Sequence, residues 1–374
     1  MSADERQFVL LSPGDPAPWF QAACTSNPEY SFDTTAGRYV VLCFFGSAAD
    51  AAGSEALKAV MARRALFDDR RMCFFGVSID PSDRDSERVR ASMPGIRFFW
   101  DFDGAVSRTY GALPVDAASP GGAPFRRFWL VLDPTLRVMR AFPFASTIAE
   151  QDAVFDYLSA LPAPDVHTGS ALQAPILLLP NVFEPDLCRR LIELFEANRG
   201  AEAAFMSEEK GRTVFVTDRD IKSRRDHHIV DQPLIEAVRD RIRRRVVPEI
   251  HKVHQFQVTR MERYLVCCYS AEEGGHFGSH RDNTTKGTAH RRFAVSVNLN
   301  SDFEGGEISF PEYGPRGFKP AQGAAVVFSC SLMHEVSRMT RGKRYVFLPF
   351  LYDDAAAAIR EQNRQFVDWT GERT

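Results

Sequence analysis

The stretch HFGSHRDN (His276–Asn283) carries the pattern on which the interpretation of the second half of the chain depends. His280 and Asp282 are separated by one residue, and alternate side chains of a β-strand point to the same face. This spacing therefore directs an imidazole and a carboxylate into one cavity. His334 follows later in the sequence SLMHEV. Two imidazoles and one carboxylate on one side of a metal ion leave open positions opposite, so these three residues are candidate metal ligands.

Short apolar segments surround this stretch and are predicted to be strands. They are Gln257–Tyr269, Arg292–Asn300, Glu307–Phe310, Ala324–Ser329, Glu335–Met339 and Arg344–Leu351. Turns containing glycine or proline separate them, and helices are predicted ahead of them, one from Glu184–Pro185 and one over Gln232–Val247. The pattern predicts a mainly-β domain, a double-stranded β-helix or jelly roll with supporting helices. The polar segment Ala201–Asp231 is interpreted as irregular, and Ala203–Asp231 within it as a candidate substrate lid.

The first half of the chain has a different pattern. Continuous apolar runs such as RYVVLCFFG (Arg38–Gly46) are typical of strands that are buried on both faces. Further strands are predicted in RMCFFGVSID and IRFFWDFDG, helices at Ala48–Asp68 and Asp83–Ala91, and a hairpin in FWLVLDPTLRVMRAF. Buried strands that alternate with helices and end in a hairpin predict an α/β fold with a mixed sheet.

The length of 374 residues favours two domains. We predict an N-terminal domain over residues 1–165, a linker over 166–172, a C-terminal domain over 173–353 and a helical tail over 354–374. The linker lies in a segment rich in Pro, Ala, Ser and Gly that lacks periodicity. In the tail, Ile359, Phe366 and Trp369 are expected to pack on the barrel or on a partner.

Composition narrows the classes of function. The formal net charge of −3 gives no argument for nucleic-acid binding or for an anionic membrane surface. The start of the sequence does not resemble a signal peptide, and no apolar run is long enough for a transmembrane helix. The seven cysteines lie mostly in apolar segments, which is typical of reduced, buried thiols and favours a cytoplasmic location. The sequence does not indicate an oligomeric state.

Residues 10–145 resemble the peroxiredoxins, which have a thioredoxin fold. The resemblance is carried by GDPAPWF, VVLCFF, GVSIDPSDRD, WDFDGAVSRTYGAL and RFWLVLDPTLRV, and Arg127 lies where the family has an arginine near its active site. The family also needs a Pro-x-x-x-Thr/Ser-x-x-Cys run after the first buried strand. Here that region reads GSAADAAGSEAL, and Gly53 or Ser54 stands at the cysteine position.

This departure decides the chemistry expected of the first domain. A serine hydroxyl does not reduce peroxide, and Cys43 lies within an apolar strand, where burial raises the pKa of a thiol. The domain is therefore expected to be redox-inactive and to act as a scaffold or partner-docking module. Two rival hypotheses use this domain: a thiol-dependent peroxidase and a non-catalytic binding protein.

Residues 173–352 resemble the Fe(II)- and 2-oxoglutarate-dependent dioxygenases of the prolyl-4-hydroxylase-like branch. The resemblance is carried by the motif from Tyr269 to Asn283, by Arg291 and Arg292 followed by SVNLNSDFEGGEISFPEYGPRGFKPAQGAAVVFSCSLMHEV, and by SRMTRGKRYVFLPFLYD. It implies that His280, Asp282 and His334 bind Fe(II). It further implies that Arg344 binds the distal carboxylate of 2-oxoglutarate, and an arginine offers that carboxylate a bidentate fork.

Further residues near these motifs are candidates for the cosubstrate pocket or for solvated positions. Tyr269 and Asn298 are expected to line the cosubstrate pocket, with an ordinary half-buried strand tyrosine as the alternative for Tyr269. Arg341 and Lys343 compete with Arg344 but are expected to be solvated in a turn. His276 is expected in a turn ahead of the strand, at the pocket rim or the surface. Solvated positions are expected for His227, His228 and His290, with substrate contact as the alternative.

The resemblance implies hydroxylation of a C–H bond by O₂, with formation of succinate and CO₂ from 2-oxoglutarate and with ascorbate as a candidate reductant. The expected substrate is a peptidyl side chain, proline by family analogy, or a small molecule. Because folds do not determine substrates, both stay open.

Overall fold

The structure is a computed structural model that describes residues 8–144 and 148–368, with the backbone alone for 148–151. The chain forms two compact units: Met1–Gln173 with Pro311–Gly314, and Ala174–Phe310 with Pro315–Thr374. In the described ranges, no helix has both the length and the apolar sequence needed to cross a bilayer.

The first unit contains a mixed sheet of seven strands with short helices. The strands are β1 (Gln21–Cys24), β2 (Asn27–Ser31), β3 (Tyr39–Gly46), β4 (Met72–Ser78), β5 (Ile96–Trp100), β6 (Phe128–Leu132) and β7 (Val138–Pro143). The helices are α1 (Ala51–Ala62), α2 (Pro81–Asp85), α3 (Ala105–Thr109) and α4 (Ile148–Ala160). The strand order is β2-β1-β5-β4-β3-β6-β7, with β3, β4 and β5 parallel and the other pairs antiparallel.

Strands β3 and β4 form the centre of this sheet because their sequences are apolar throughout. Every residue of both strands is buried, as expected of parallel strands covered on both faces. The predicted α/β class is confirmed. The helix predicted over Asp83–Ala91 is wrong in its bounds, because α2 ends at Asp85 and Glu87 adopts a positive φ of 49°. The β1–β2 hairpin, α3 and α4 were not predicted.

The second unit is mainly β. Its strands are β8 (Leu177–Leu179), β9 (Ala201–Glu202), β10 (Phe205–Glu209), β11 (Arg212–Val216), β12 (Lys222–Ser223), β13 (Arg225–His228), β14 (Arg260–Glu262), β15 (Leu265–Ser270), β16 (His276–His280), β17 (Phe293–Asn298), β18 (Ile308–Ser309), β19 (Gly317–Phe318), β20 (Ala325–Ser329), β21 (His334–Val336), β22 (Lys343–Phe347) and β23 (Phe350–Tyr352). Its helices are α5 (Pro185–Asn198), α6 (Gln232–Arg245), α7 (Val247–His254) and α8 (Asp354–Asn363).

Two antiparallel sheets form a jelly roll in this unit, which confirms the predicted fold class. One has the order β12-β16-β21-β18-β19, and the other β14-β23-β17-β22-β15-β13-β9, with β20 between β17 and β8. Strand alternation gives the large sheet two apolar faces. Val266 and Cys268 of β15 pack in a cluster with α5 and α6, whereas Leu265, Cys267 and Tyr269 pack with Val336 of the small sheet.

The interpretation of Ala201–Asp231 as irregular is wrong. Strands β10 and β11 form a regular two-stranded hairpin in it, while β12 joins the small sheet at β16 and β13 joins the large sheet at β15. The segment is polar because much of it lies in a separate hairpin or at a sheet edge. The pairing of β12 and β13 was not visible in the local sequence, since their partner strands β16 and β15 lie far along the chain.

Candidate metal centre

Strands β16 and β21 bring the predicted ligands together. His280 and His334 are direct partners across this antiparallel pair, and the register shifts between Phe277 and His280. Asp282 follows just after β16, where its backbone N–H donates to the carbonyl oxygen of Cys330 over 2.9 Å. One donor atom from each of His280, Asp282 and His334 lies within 4.8 Å of the other two. The fold thus gathers the three residues that the sequence pattern selected.

Backbone contacts orient both imidazoles. His280 Nδ1 lies 2.8 Å from the carbonyl oxygen of Gly278, and His334 Nδ1 lies 3.1 Å from that of Leu332. Since a carbonyl oxygen only accepts, each Nδ1 carries the proton and each Nε2 keeps its lone pair. His280 Nε2 is 3.6 Å from Asp282 Oδ1, and His334 Nε2 is 3.4 Å from Asp282 Oδ2.

This arrangement fits a small divalent metal ion. Metal–ligand bonds of about 2.1 Å at right angles separate neighbouring ligand atoms by about 3 Å. The nitrogen–oxygen separations at Asp282 approach that value, and the donor set of two imidazoles and one carboxylate suits non-haem Fe(II).

The protonation states also favour metal binding. Burial lowers the pKa of the His334 imidazole to about 4, so the ring is neutral at physiological pH. Burial by itself would raise the pKa of the Asp282 carboxyl. The adjacent His334 and His280, together with Arg291, instead hold it well below its usual range. The site therefore offers a neutral imidazole at His334 and a carboxylate at Asp282, which are the forms that bind metal ions.

Aromatic rings cover the two imidazoles. Phe277 stacks on His280 with 3.6 Å between ring centroids, and Phe328 lies 4.6 Å from His334. These contacts restrict the rotation of the imidazoles and exclude water from one side of the cluster.

Arg344 lies inside the jelly roll. It is opposite Tyr269 in the β15–β22 pair and is only 2% exposed. Its guanidinium donates to Asn298 Oδ1 over 3.0 and 3.1 Å and to Ser296 Oγ over 3.1 Å. All these acceptors are neutral, and Arg344 makes no ion pair with any residue that the structure describes. A buried guanidinium without a carboxylate partner is a ready anion site.

The two competitors of Arg344 are placed differently. The Arg341 side chain is 65% exposed and pairs with Glu304, and the Lys343 side chain is 45% exposed and pairs with Glu196. Neither offers a buried, unpaired cation.

Tyr269 and Asn298 both contact Arg344. The Tyr269 ring centroid lies 5.6 Å from the Arg344 guanidinium carbon, and the tyrosine is 1% exposed, so it is not a half-buried strand residue. Asn298 is fully buried, and its amide also donates to the carbonyl oxygen of Pro320 over 2.8 Å. Alternation on β17 directs Ser296 and Asn298 to the same face.

Two histidine predictions are wrong. His276 is the first residue of β16 rather than part of a turn ahead of it, and its ring nitrogens lie 2.8 and 3.0 Å from the carbonyl oxygens of Gly274 and Asp220. His290 is 2% exposed rather than solvated, because its Nε2 lies 2.9 Å from Glu262 Oε2. His227 and His228 belong to β13.

Glu262 is the centre of a buried ionic group that the sequence did not reveal. Besides His290, it binds Arg291 Nε over 2.8 Å and Arg360 Nη2 over 3.2 Å. Burial alone would raise the pKa of the Glu262 carboxyl. The hydrogen bond from His290 and the charges of Arg291 and Arg360 instead lower it to about 2. Arg291 Nη1 also donates to the carbonyl oxygen of Asp282, so this group supports the loop that carries a candidate ligand.

Lys222 and Arg224, which are 3% and 5% exposed, were not expected to be buried. Arg224 Nη1 donates to the hydroxyl of Tyr269 over 3.2 Å. The available signal was the alternation of Lys222, Arg224 and Asp226 in KSRRD, which has the period of a strand.

In the first unit, the segment after β3 where peroxiredoxins have their reactive cysteine contains no thiol. Gly53 lies in α1, and a Cβ atom built on it would meet the carbonyl oxygen of Ser47 at 2.1 Å. Arg127 forms an ion pair with Asp50. Cys43 is fully buried in β3, and burial raises the pKa of its thiol well above the usual range. All seven cysteines are free and buried.

Comparison with known families matches each half of the chain to a different one. Residues 264–352 match the 2OG-Fe(II) oxygenase superfamily, and residues 13–142 match the AhpC/TSA family. The C-terminal half thus contains a 2OG-Fe(II) oxygenase domain, and the N-terminal half contains an AhpC/TSA domain, which is peroxiredoxin-like.

Individual proteins are similar to each half. A PKHD-type hydroxylase of Pseudomonas putida is 25% identical over 183 residues, which are 46% of this chain and 75% of that protein. A crystal structure of a Pseudomonas putida prolyl-4-hydroxylase covers 54% of this chain and 97% of its own, with 17% identity and a TM-score of 0.35. The bacterioferritin comigratory protein of Xanthomonas campestris covers 38% of this chain and 90% of its own, with 18% identity and a TM-score of 0.31.

Proposed function

We propose that this chain is an Fe(II)- and 2-oxoglutarate-dependent dioxygenase that hydroxylates a C–H bond. The observation that carries the proposal is the convergence of His280, Asp282 and His334, with oriented imidazoles, in a domain of the 2OG-Fe(II) oxygenase superfamily. Fe(II) bound there with 2-oxoglutarate would supply the oxidative chemistry, with O₂ consumed and succinate and CO₂ formed. Ascorbate is the proposed reductant that keeps the iron in the Fe(II) state.

The protein's part in this reaction is binding and orientation. His280 and His334 would present Nε2 to the iron because their Nδ1 atoms are held by backbone carbonyl oxygens. Arg344 would bind the distal carboxylate of 2-oxoglutarate, since its charge lacks a partner among the described residues. Tyr269 and Asn298 would define the wall of the cosubstrate pocket, with Asn298 fixing the guanidinium plane.

The substrate proposed is a peptidyl side chain, including proline, or a small molecule that carries the C–H bond. The N-terminal domain is proposed to be a scaffold or docking module rather than a thiol peroxidase. Cys43 is buried, and the position of the family's cysteine is held by Gly53 or Ser54. We place the domain limits at residues 1–165 and 173–353, joined by a linker over 166–172, with a tail over 354–374 of which 369–374 lie outside the described residues. The free, buried cysteines suit a cytoplasmic location.

Succinate formation tests the proposal. The purified chain is supplied with Fe(II), 2-oxoglutarate and ascorbate in air, and succinate is measured over time. We expect slow succinate release even without the substrate, faster release when a lysate fraction supplies it, and none after Fe(II) is removed by a chelator. Failure of the iron-loaded chain to form any succinate, with or without lysate, would contradict the proposed function.

A further inference from the structure

A group of buried charges lies beside the proposed cosubstrate site. We call Lys222, Arg224, Arg263 and Asp226 the cationic cluster. Asp226 Oδ2 lies 2.7 Å from Arg224 Nη2 and 3.3 Å from Arg263 Nη2, while Arg224 Nε donates to Asp226 Oδ1 over 2.7 Å. The side chains of Arg224 and Asp226 are 4% and 10% exposed. The cluster therefore combines the buried side chains of Lys222 and Arg224 and one carboxylate with Arg263, whose side chain is 28% exposed.

Lys222 is the member without an ionic partner. It is 3% exposed, and its ammonium donates to the carbonyl oxygen of Ala204 over 2.7 Å. It forms no ion pair with any residue in the described ranges. Burial, together with the charge of Arg224, lowers the pKa of the Lys222 ammonium well below its usual range. A buried ammonium that lacks a carboxylate destabilises the protein, and a bound anion would relieve that cost.

The cluster is adjacent to both proposed parts of the reaction site. Lys222 lies opposite Phe277, and its Nζ is 5.1 Å from the centroid of that ring, which itself stacks on His280. The guanidinium carbons of Arg224 and Arg344 each lie 5.6 Å from the centroid of Tyr269. Lys222 thus contacts a ring that stacks on a candidate iron ligand, and Arg224 contacts the same ring as Arg344.

The cosubstrate alone does not balance these charges. The two carboxylates of 2-oxoglutarate are accounted for by the metal ion and by Arg344. Asp226 pairs with both Arg224 and Arg263, but its single negative charge offsets only one of the two, and the neighbouring Glu262 already binds His290 and Arg291. A positive surplus therefore persists beside the cosubstrate pocket, in a low-dielectric region where charge interactions are strong.

We propose that Lys222 and Arg224 form a second carboxylate-binding subsite, which holds a carboxylate of the substrate while Arg344 holds that of 2-oxoglutarate. This inference rests on the proposed function and narrows it: the substrate carries a carboxylate close to the C–H bond that is hydroxylated. An internal prolyl residue without an adjacent acidic group does not meet this requirement.

The test uses acetate as the probe and acetamide as its uncharged isostere. The full chain is loaded with Mn(II) in place of Fe(II) and saturated with 2-oxoglutarate, and binding of each probe is measured by calorimetry. In the wild type we expect acetate to bind at least about tenfold more tightly than acetamide, since a buried ionic hydrogen bond distinguishes them. The preference should disappear in Lys222→Met and in Arg224→Gln and persist in Lys252→Met, a change at a lysine whose side chain is 72% exposed.

Equal binding of acetate and acetamide by the wild type would overturn the subsite, and this arm does not depend on any variant folding. The cosubstrate provides the second arm. If Lys222→Met raises the 2-oxoglutarate concentration needed for half-saturation as much as Arg344→Ala does, the cluster binds the cosubstrate and the subsite is refuted, although the proposed function stands. If the wild type does not bind 2-oxoglutarate at all, the proposed function itself fails.

Discussion

At the start of α1, Gly53 or Ser54 stands where the peroxiredoxin-like pattern requires a thiolate, whereas β16 and β21 set two imidazoles opposite each other beside Asp282. Both regions lie in folds that their families use for redox chemistry. In the first region, the backbone leaves no space for a side chain at Gly53, since a Cβ atom there would lie 2.1 Å from the carbonyl oxygen of Ser47. In the second, backbone carbonyl oxygens still hold each Nδ1 and leave Nε2 available.

The comparison shows that a fold and its chemistry are separable. The sheet of the first unit has its buried strands, and Arg127 contacts Asp50 at the start of α1, yet α1 contains no thiol. The jelly roll, in contrast, contains the candidate ligand cluster together with a buried arginine that has no ionic partner among the described residues. Function must therefore be argued from side chains in the site.

The largest effect is expected from removing a ligand. His280→Ala should lower succinate formation by more than about 100-fold, because metal affinity falls when a first ligand is lost. Metal content after dialysis, measured beside the succinate assay, should fall in parallel. His251→Ala, at an exposed position of α7, is the matched control and should keep both. Unchanged metal content in His280→Ala would contradict the account, because His280, Asp282 and His334 would then not form the metal site.

Arg344→Ala should act on the cosubstrate rather than on the metal. Losing a buried charge partner costs about 3 kcal/mol, so the 2-oxoglutarate concentration for half-maximal rate should rise by about 100-fold. Metal content should stay at the wild-type level. Arg341→Ala, at the exposed competitor, should leave the half-maximal concentration unchanged. If Arg341→Ala raised the half-maximal concentration and Arg344→Ala did not, Arg341 and not Arg344 would bind the distal carboxylate of 2-oxoglutarate.

The acid stability of the jelly roll should depend on Glu262. Its pKa of about 2 lies below the ordinary 4.5, so the unfolded state binds more protons between these values and the stabilisation is lost as pH falls through that window. Glu262→Gln should lower the free energy of unfolding at pH 7 by on the order of 2 to 3 kcal/mol, with the difference shrinking towards pH 2. Urea unfolding from pH 7 to pH 2.5 checks this, with exposed Glu236→Gln as the control. A pH-independent difference would contradict the ionic account.

The smallest effect concerns the first unit. Gly53→Cys should destabilise the chain by about 1 to 3 kcal/mol, because the new Cβ forces a backbone shift. Neither this variant nor Ser54→Cys is expected to gain thiol-dependent peroxide consumption, and Cys43→Ser should not change the wild-type rate. Peroxide consumption that appears in the wild type and is lost in Cys43→Ser would revive the peroxidase hypothesis.

The sequence predicted those features that depend on local periodicity. Continuous apolar runs gave β3 and β4, and the spacing of His280 and Asp282 gave two of the residues that the structure brings together. Strand alternation also accounts for the inward position of Arg344, since Tyr345 and Phe347 face the helices.

Features that depend on distant partners were missed. His290, which lies in a turn, is buried because Glu262 of β14 binds it, and no neighbouring residue in the sequence signals this contact. Lys222 and Arg224 were read as part of a polar loop, because the strands that bury them lie far along the chain. Polar residues are assigned to the surface by default, and a polar cluster in a barrel interior contradicts that expectation.

An anaerobic titration with Fe(II) and 2-oxoglutarate tests the central claim most directly. We predict that adding 2-oxoglutarate to the Fe(II)-loaded chain produces a weak visible charge-transfer band that saturates at one cosubstrate per iron. The band should be absent in His280→Ala and shifted to higher 2-oxoglutarate concentration in Arg344→Ala. A wild-type chain that binds Fe(II) and 2-oxoglutarate without this band, or that binds neither, would contradict the assignment of the barrel site.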